Sequence, residues 1–158
     1  KYVLPTYNSI LKEAESIPKP SSTPKAVMIG TGRTHFTAIA LASLGWRVTA
    51  LELDPKIHKE SLRIYNKLPQ KIKKNLEIKV ADGSNFDNYH DADLIVVATM
   101  AYPKKEIFDQ IIRQTNPDKT KVVIRTSEGL GQLLYESIPQ EDISKRFNID
   151  KELAYYPY

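Results

Sequence analysis

The chain has 158 residues, 41% of them hydrophobic and 27% charged, the proportions of one ordinary globular domain able to bury most of the surface it would expose unfolded. The absence of Cys excludes disulfides, thiolate metal sites and Cys nucleophiles together, and fits a reducing, cytoplasmic compartment. A net charge of +4 arises from 23 basic and 19 acidic residues that are scattered, with no aromatic-interleaved basic stripe and no apolar run near the ~20 residues of a membrane span, so neither nucleic acid nor membrane is an expected partner.

In chain order, Asn8 or Ser9 is placed to cap a short helix through Glu15, with Ile10, Leu11 and Ala14 at helical spacing. Pro18, Pro20 and Pro24, around Ser21, Ser22 and Thr23, mark a linker. The expected division is therefore 1–24, helix and linker, and 25–158, the main domain. Ala26 to Ile29 reads as a first strand, and the helix after it runs from about Thr34 to Leu44, where Gly45 stops it. A second strand spans Arg47 to Leu53, and Asp54 then caps a helix with Pro55 at its first position. That helix carries Ile57, Leu62, Ile64 and Tyr65, and Lys71, Lys73 and Lys74 after it form a solvated corner.

Leu76 to Ala81 is the third strand, followed by a polar turn from Asp82 to Asp91. Leu94 to Ala98 is continuously apolar, as a strand covered on both faces of a parallel sheet must be. Pro103 opens a helix with Ile107, Phe108, Ile111 and Ile112 on its apolar side; Lys121 to Thr126 is strand five, and Gly129 to Glu136 a loop entering another helix. The alternation predicts an α/β fold: a doubly wound, Rossmann-like parallel sheet in three α/β/α layers, preceded by a short N-terminal helix.

The chemistry concentrates in KAVMIGTGRTHFTAIALASLGWRVTALELDP, Lys25 to Pro55. Gly30 and Gly32 let the backbone turn sharply off the strand and approach a ligand, towards which the unpaired N–H groups of the next helix also point. Glu52 follows Gly30 by 22 residues, close to the ~20-residue offset at which an acid at a strand tip meets ribose hydroxyls. A dinucleotide fingerprint wants a third Gly where this chain has His35, which argues against NAD and for a looser loop of the kind that holds S-adenosylmethionine. No G-x-x-x-x-G-K-[ST] string occurs, so a P-loop is excluded.

Doubly wound sheets bind ligands beyond the carboxyl ends of their strands, where strand order reverses. That rule selects Gly30 to Arg33, Glu52, Asp82, Thr99 with Met100, and Thr126 to Glu128. Asp82 is placed either to accept from an adenine amino group or to make an Asx turn with Gly83. The expected cofactor-binding set is Gly30, Thr31, Gly32, Glu52, Leu53, Asp82, Gly83 and Thr99. Arg125 is expected to pair with a carboxylate that holds strand five, and Tyr102 either to line the pocket or to start its helix. His35, His58 and His90 lack metal-ligand spacing and read as surface or capping residues, so no metal is expected.

These strings resemble the class I S-adenosylmethionine-dependent methyltransferase superfamily and, within it, the nicotianamine synthase-like family. The wider likeness is the Gly30/Gly32 loop, the acid Glu52 and the ADG at Ala81 to Gly83. The narrower one comprises PTYNSILKEAE from Pro5, TAIALA from Thr37, IRTSEGLGQLLYESI from Ile124, with Arg125, Gly129, Leu134 and Tyr135, and YYP at Tyr155 to Pro157. Glu128 stands where the family usually has histidine and Glu136 where proline is common.

The resemblance implies transfer of the aminocarboxypropyl group of S-adenosylmethionine to a small-molecule amine or amino acid, with methyl transfer as the alternative, and makes Tyr7 and Glu128 the catalytic candidates; Tyr7 is equally placed to pack the N-terminal helix on the sheet. An NAD-dependent oxidoreductase and a non-catalytic nucleotide-binding module are further alternatives, and a homo-oligomer is compatible with the sequence. Family members carry a helical N-terminal domain that supplies a catalytic glutamate, and closing strands; beside that pattern this chain resembles the family's core domain, natural or excised.

Overall fold

The computed structural model describes residues 3–126 and 138–144. The elements are α1 (Val3–Ser16), β1 (Lys25–Ile29), α2 (Phe36–Ser43), β2 (Arg47–Glu52), α3 (Pro55–Tyr65), α4 (Gln70–Lys73), β3 (Leu76–Val80), β4 (Leu94–Val97), α5 (Lys104–Gln114), β5 (Lys121–Ile124) and α6 (Gln140–Ser144). The five strands form one parallel sheet in the order β3-β2-β1-β4-β5. Strand order reverses between β1 and β4, and sheets of this kind take their ligands beyond the carboxyl ends at that point.

Alternation along the strands divides the core into two layers. Ala26, Met28, Val48, Ala50, Leu94 and Val96 face the side covered by α1 and α2, joined by side chains of α3 and α4. Val27, Ile29, Leu51, Ile95 and Val97 face α5 and the segment around Tyr89 on the other side. β4 is buried along its whole length, as its unbroken apolar run requires. The three α/β/α layers expected from the sequence are thus present.

Local signals set most element boundaries. Asp54 is the N-cap of α3, its carboxylate accepting from Lys56 N–H at 2.7 Å, with Pro55 next. Strands end one or two residues inside their expected limits, β2 at Glu52, β3 at Val80, β4 at Val97 and β5 at Ile124, α2 covers Phe36–Ser43, and two differences are larger. Helix α1 begins at Val3, so neither Asn8 nor Ser9 caps it; Pro5 falls in the first turn, where an absent N–H leaves no intrahelical bond unmade. Residues Gln70–Lys73 form the short helix α4 within the lysine-rich corner. Across the proline-rich connection, Tyr7, Ile10, Leu11 and Ile17 of the N-terminal segment pack on the core layer of α2.

Candidate functional site

Beyond Ile29 the chain is turned by three residues in left-handed conformation, Gly30 (φ 75°), Gly32 (φ 63°) and His35 (φ 49°). The N–H groups of Gly30 and Thr31 both donate to the carbonyl of Leu51, at 3.0 and 3.3 Å, folding the turn over β2. A side chain at Gly30 would bring a Cβ within 3.2 Å of the Ala101 Cβ, so the turn also closes on the segment after β4. At Gly32 nothing lies within 4 Å of that position, leaving open space beside the exposed backbone.

Glu52 ends β2 at this opening, with 7% of its surface exposed. Its Oε2 accepts from Gly32 N–H at 2.8 Å and its Oε1 from Asp54 N–H at 3.1 Å. Two backbone donors therefore aim the carboxylate and use two of its roughly four acceptor positions. The remaining positions suit hydroxyl donors such as a ribose diol. Large apolar side chains stand exposed at the same ends of the strands, Leu53 just after β2, Val80 as the last residue of β3, and Met100 and Tyr102 after β4.

The other expected ligands have additional tasks. Asp82 makes the Asx turn: its Oδ1 accepts from Ser84 N–H at 2.8 Å and from Ser84 Oγ at 2.7 Å. Gly83 is needed for packing, since a Cβ there would lie 2.8 Å from Ile29 Cγ2. Its carbonyl accepts from the buried Tyr89 hydroxyl at 2.8 Å, and burial, aided by the charge of Asp82, holds that phenol above its usual range. Thr31 is buried with Oγ1 unpartnered, so it offers backbone to the opening. The Thr99 carbonyl accepts from Lys104 Nζ at 2.8 Å.

The structure corrects the reading of His35 as a surface or capping residue. It occupies the N-cap position of α2 but makes no side-chain cap, and it is 1% exposed with both ring nitrogens unpartnered. Burial, with a smaller contribution from His58, lowers its pKa to about 4, so the neutral ring fills the place of a third glycine.

Two cations knit the carboxyl ends of β4 and β5, and the sequence reading overlooked one of them. Lys104 is completely buried at the start of α5, donating to the carbonyls of Thr99 and, at 3.3 Å, Arg125. Arg125 pairs with a carboxylate as expected: Nη2 donates to Glu13 Oε2 at 2.9 Å and Nη1 to Thr37 Oγ1 at 2.7 Å, joining α1, α2 and the end of β5. A buried lysine is rare enough to be informative, but nothing in the local pattern KKE separates Lys104 from Lys105, which is exposed and bonded to Asp109.

Gly30, Thr31, Gly32, Glu52 and Leu53 are thus gathered at one corner, with Asp82 and Thr99 at neighbouring strand ends. Tyr7 packs edge to face on Phe36, the first residue of α2, with ring centroids 5.9 Å apart. Glu128 lies outside the described residues, as do the Gly129 to Glu136 loop and the Tyr155 to Pro157 string. Among the described residues no group of three or more His, Asp or Glu could hold a metal ion, and no helix is long and apolar enough to cross a membrane. A depression of about 610 Å³, lined by Lys25, Arg47, Lys74, Glu77 and Asp91, lies at the opposite, amino ends of the strands.

This five-stranded parallel sheet, with a glycine turn after β1 and an acid at the end of β2, matches the Rossmann-like fold of class I S-adenosylmethionine-dependent methyltransferases. Among solved structures, the chain is similar to MtNAS, a nicotianamine synthase, in a variant form in complex with S-adenosylmethionine: 26% identity, TM-score 0.70, covering 90% of this chain and 54% of that one. MtNAS in complex with MTA and tNA gives 26% identity and a TM-score of 0.71, covering 90% and 53%. The glycopeptide N-methyltransferase MtfA complexed with S-adenosylmethionine shares the fold at 17% identity and a TM-score of 0.61, covering 75% and 53%. The chain therefore spans about half the length of the solved proteins it resembles. No family model and no curated protein matches it.

Proposed function

We propose that the chain is the cofactor-binding core of a nicotianamine synthase-like transferase, which binds S-adenosylmethionine beside Gly32 and passes its aminocarboxypropyl group to a small-molecule amine or amino acid in the cytoplasm. The observation that carries this is the Glu52 carboxylate, fixed by the Gly32 and Asp54 N–H groups beside open space and still able to accept from two hydroxyls. The likeness to proteins crystallised with S-adenosylmethionine supports the same ligand.

When bound, S-adenosylmethionine supplies an electrophilic carbon on a cationic sulfonium. The protein's part is to hold it in line with the acceptor, and alignment of that kind can supply on the order of 7–11 kcal/mol of a barrier. Glu52 orients the ribose, while Leu53 and Val80 offer apolar surface beside it for the base. The Gly30 to Gly32 backbone receives the amino-acid tail. Tyr7 is the aromatic group proposed to face the sulfonium, a contact worth about 0.5–2 kcal/mol. Glu128 is the proposed proton acceptor for the attacking amine. The domain division at residue 24 stands on the same footing, with residues 1–24 as the segment that brings Tyr7 to the site.

Mass spectrometry of the small molecule released from the purified protein, followed by product analysis with amine acceptors, tests the proposal. Retained S-adenosylmethionine and methylthioadenosine as product are the expected results. S-adenosylhomocysteine as the product would replace aminocarboxypropyl transfer with methyl transfer. A chain that retains a nicotinamide dinucleotide instead would sink the reading.

A further inference from the structure

Arg125 and Glu13 are separated by 112 residues, yet their side chains meet at 2.9 Å and are only 25% and 17% exposed. A half-buried ion pair is weak evidence of stabilisation, because desolvation of both charges offsets much of their attraction. What it does fix is geometry. The arginine is held from four sides: the Arg125 N–H donates to Val97 O at 3.0 Å, its carbonyl accepts from Lys104, and its side chain spans Thr37 and Glu13.

Glu13 is near the end of α1, and Tyr7 lies about 1.7 turns earlier on the same helix. Thr37 follows Phe36, the residue on which the Tyr7 ring rests. The two contacts of Arg125 thus clamp α1 to α2 at one point, and the Tyr7–Phe36 pair is the second point, directly after the turn from Gly30 to His35. Around the clamp itself, Ile10, Ala14, Thr37, Leu41 and Val96 leave a void of only about 10 Å³, so the two helices are closely packed where Arg125 joins them.

We infer that the Arg125–Glu13 pair is a positioning device for the cofactor site: it sets the placement of α1, and through it the Tyr7 ring, relative to the glycine turn. Arg125 touches no ligand in this scheme; it acts through Tyr7. The inference rests on the reading that this site takes S-adenosylmethionine, and it goes beyond that reading by assigning cofactor affinity to a pair outside the set of binding residues.

The test is a double-mutant cycle on the 158-residue chain, with S-adenosylmethionine affinity measured by calorimetry and thermal stability measured in parallel. Glu13→Gln removes the charge and keeps the shape; Tyr7→Leu removes the ring and keeps apolar volume on Phe36; Tyr7→Phe keeps the ring. Tyr7→Leu is expected to weaken binding about 2- to 30-fold. Glu13→Gln is expected to weaken it at least about threefold in the parent and in the Tyr7→Phe background, with little further loss in the Tyr7→Leu background, because coupled residues do not add. A pair that merely stabilises the fold lowers the melting temperature equally in all three backgrounds and leaves affinity unmoved or additive, which overturns the inference. Should Tyr7→Leu fail to fold, the effect of Glu13→Gln in the Tyr7→Phe background alone decides, since an unmoved affinity there is fatal. A parent chain that does not bind S-adenosylmethionine overturns the proposed function as well, whereas a binding parent with an additive cycle overturns the positioning role alone.

Discussion

Glu52 performs two tasks at one position, and its replacement separates them. As a ligand it offers acceptors to hydroxyls; as part of the fold it satisfies the N–H groups of Gly32 and Asp54. Glu52→Gln keeps one acceptor, sets its amide NH2 against the other backbone donor and loses the charge, so S-adenosylmethionine affinity should fall about tenfold, 1.4 kcal/mol, and folding free energy by about 1 kcal/mol. Glu52→Ala leaves both N–H groups unpaired and should cost a further ~1–3 kcal/mol of folding free energy. Calorimetry beside urea unfolding distinguishes the two, and an alanine variant with parental affinity contradicts the assigned pose. His35 gives a second residue-scale expectation. Its pKa falls from 6.5 to about 4 on folding, so the unfolded chain binds the proton first as pH drops, and the stability from burying the neutral ring is complete above pH 6.5 and lost as pH falls towards 4. One proton gives a slope of at most about 1.4 kcal/mol per pH unit in that window. Asn tolerates the left-handed backbone without titrating, so His35→Asn should flatten the slope, and urea curves parallel to those of the parent would show that another group is responsible.

At the scale of elements, the parallel strands β4 and β5 end in carbonyls that the ladder cannot satisfy, and Lys104 supplies them from the first position of α5. Lys104→Ala leaves those carbonyls without the donor and opens a cavity where the aliphatic stem lay, so a loss of about 2–5 kcal/mol is expected. Lys104→Met refills the stem and should recover part of it; equal losses for both variants would place the effect in the ammonium alone. The contrast with the rest of the fold shows what local sequence can carry. Strand runs such as LIVV, the Asp54-Pro55 start of α3 and the Gly30/Gly32 turn announce themselves through periodicity, capping and backbone freedom, and all appear where the residues place them. The parallel, doubly wound sheet in three layers followed from the alternation of strands and helices together with the resemblance, whereas the strand order came from the structure. The Arg125–Glu13 pair was legible by half, since an arginine at a strand end needs a carboxylate but 112 residues of separation hide which one. Burial of Lys104 and of His35 was not legible at all, because lysine and histidine patterns look alike on a surface and in a core and only tertiary packing decides; at Asn8 and Ser9 a plausible cap is passed over, because α1 already runs from Val3.

For the whole molecule, the site's position implies a thermodynamic link between ligand and fold. The glycine turn bonds to β2, packs against the segment after β4, and leads into the helix that α1 covers, so a ligand seated there touches the strands on both sides of the topological switch. Such a ligand binds only the folded chain, because the unfolded chain holds Gly32 and Glu52 apart. At one hundred times its dissociation constant it should therefore add about 2.7 kcal/mol of stability. For a domain of this size each kilocalorie raises the melting temperature by about 2–4 °C, so saturating S-adenosylmethionine should raise it by ~5–10 °C. The increment should grow with the logarithm of ligand concentration and disappear in Glu52→Ala, while the alanine variant without ligand melts lower than the parent. NADH, which the His35 turn does not suit, should give no shift at the same concentration. A parent protein whose melting point ignores S-adenosylmethionine but rises with NADH would transfer the site to the dinucleotide class, because mass action admits no binding to the native state alone without stabilisation.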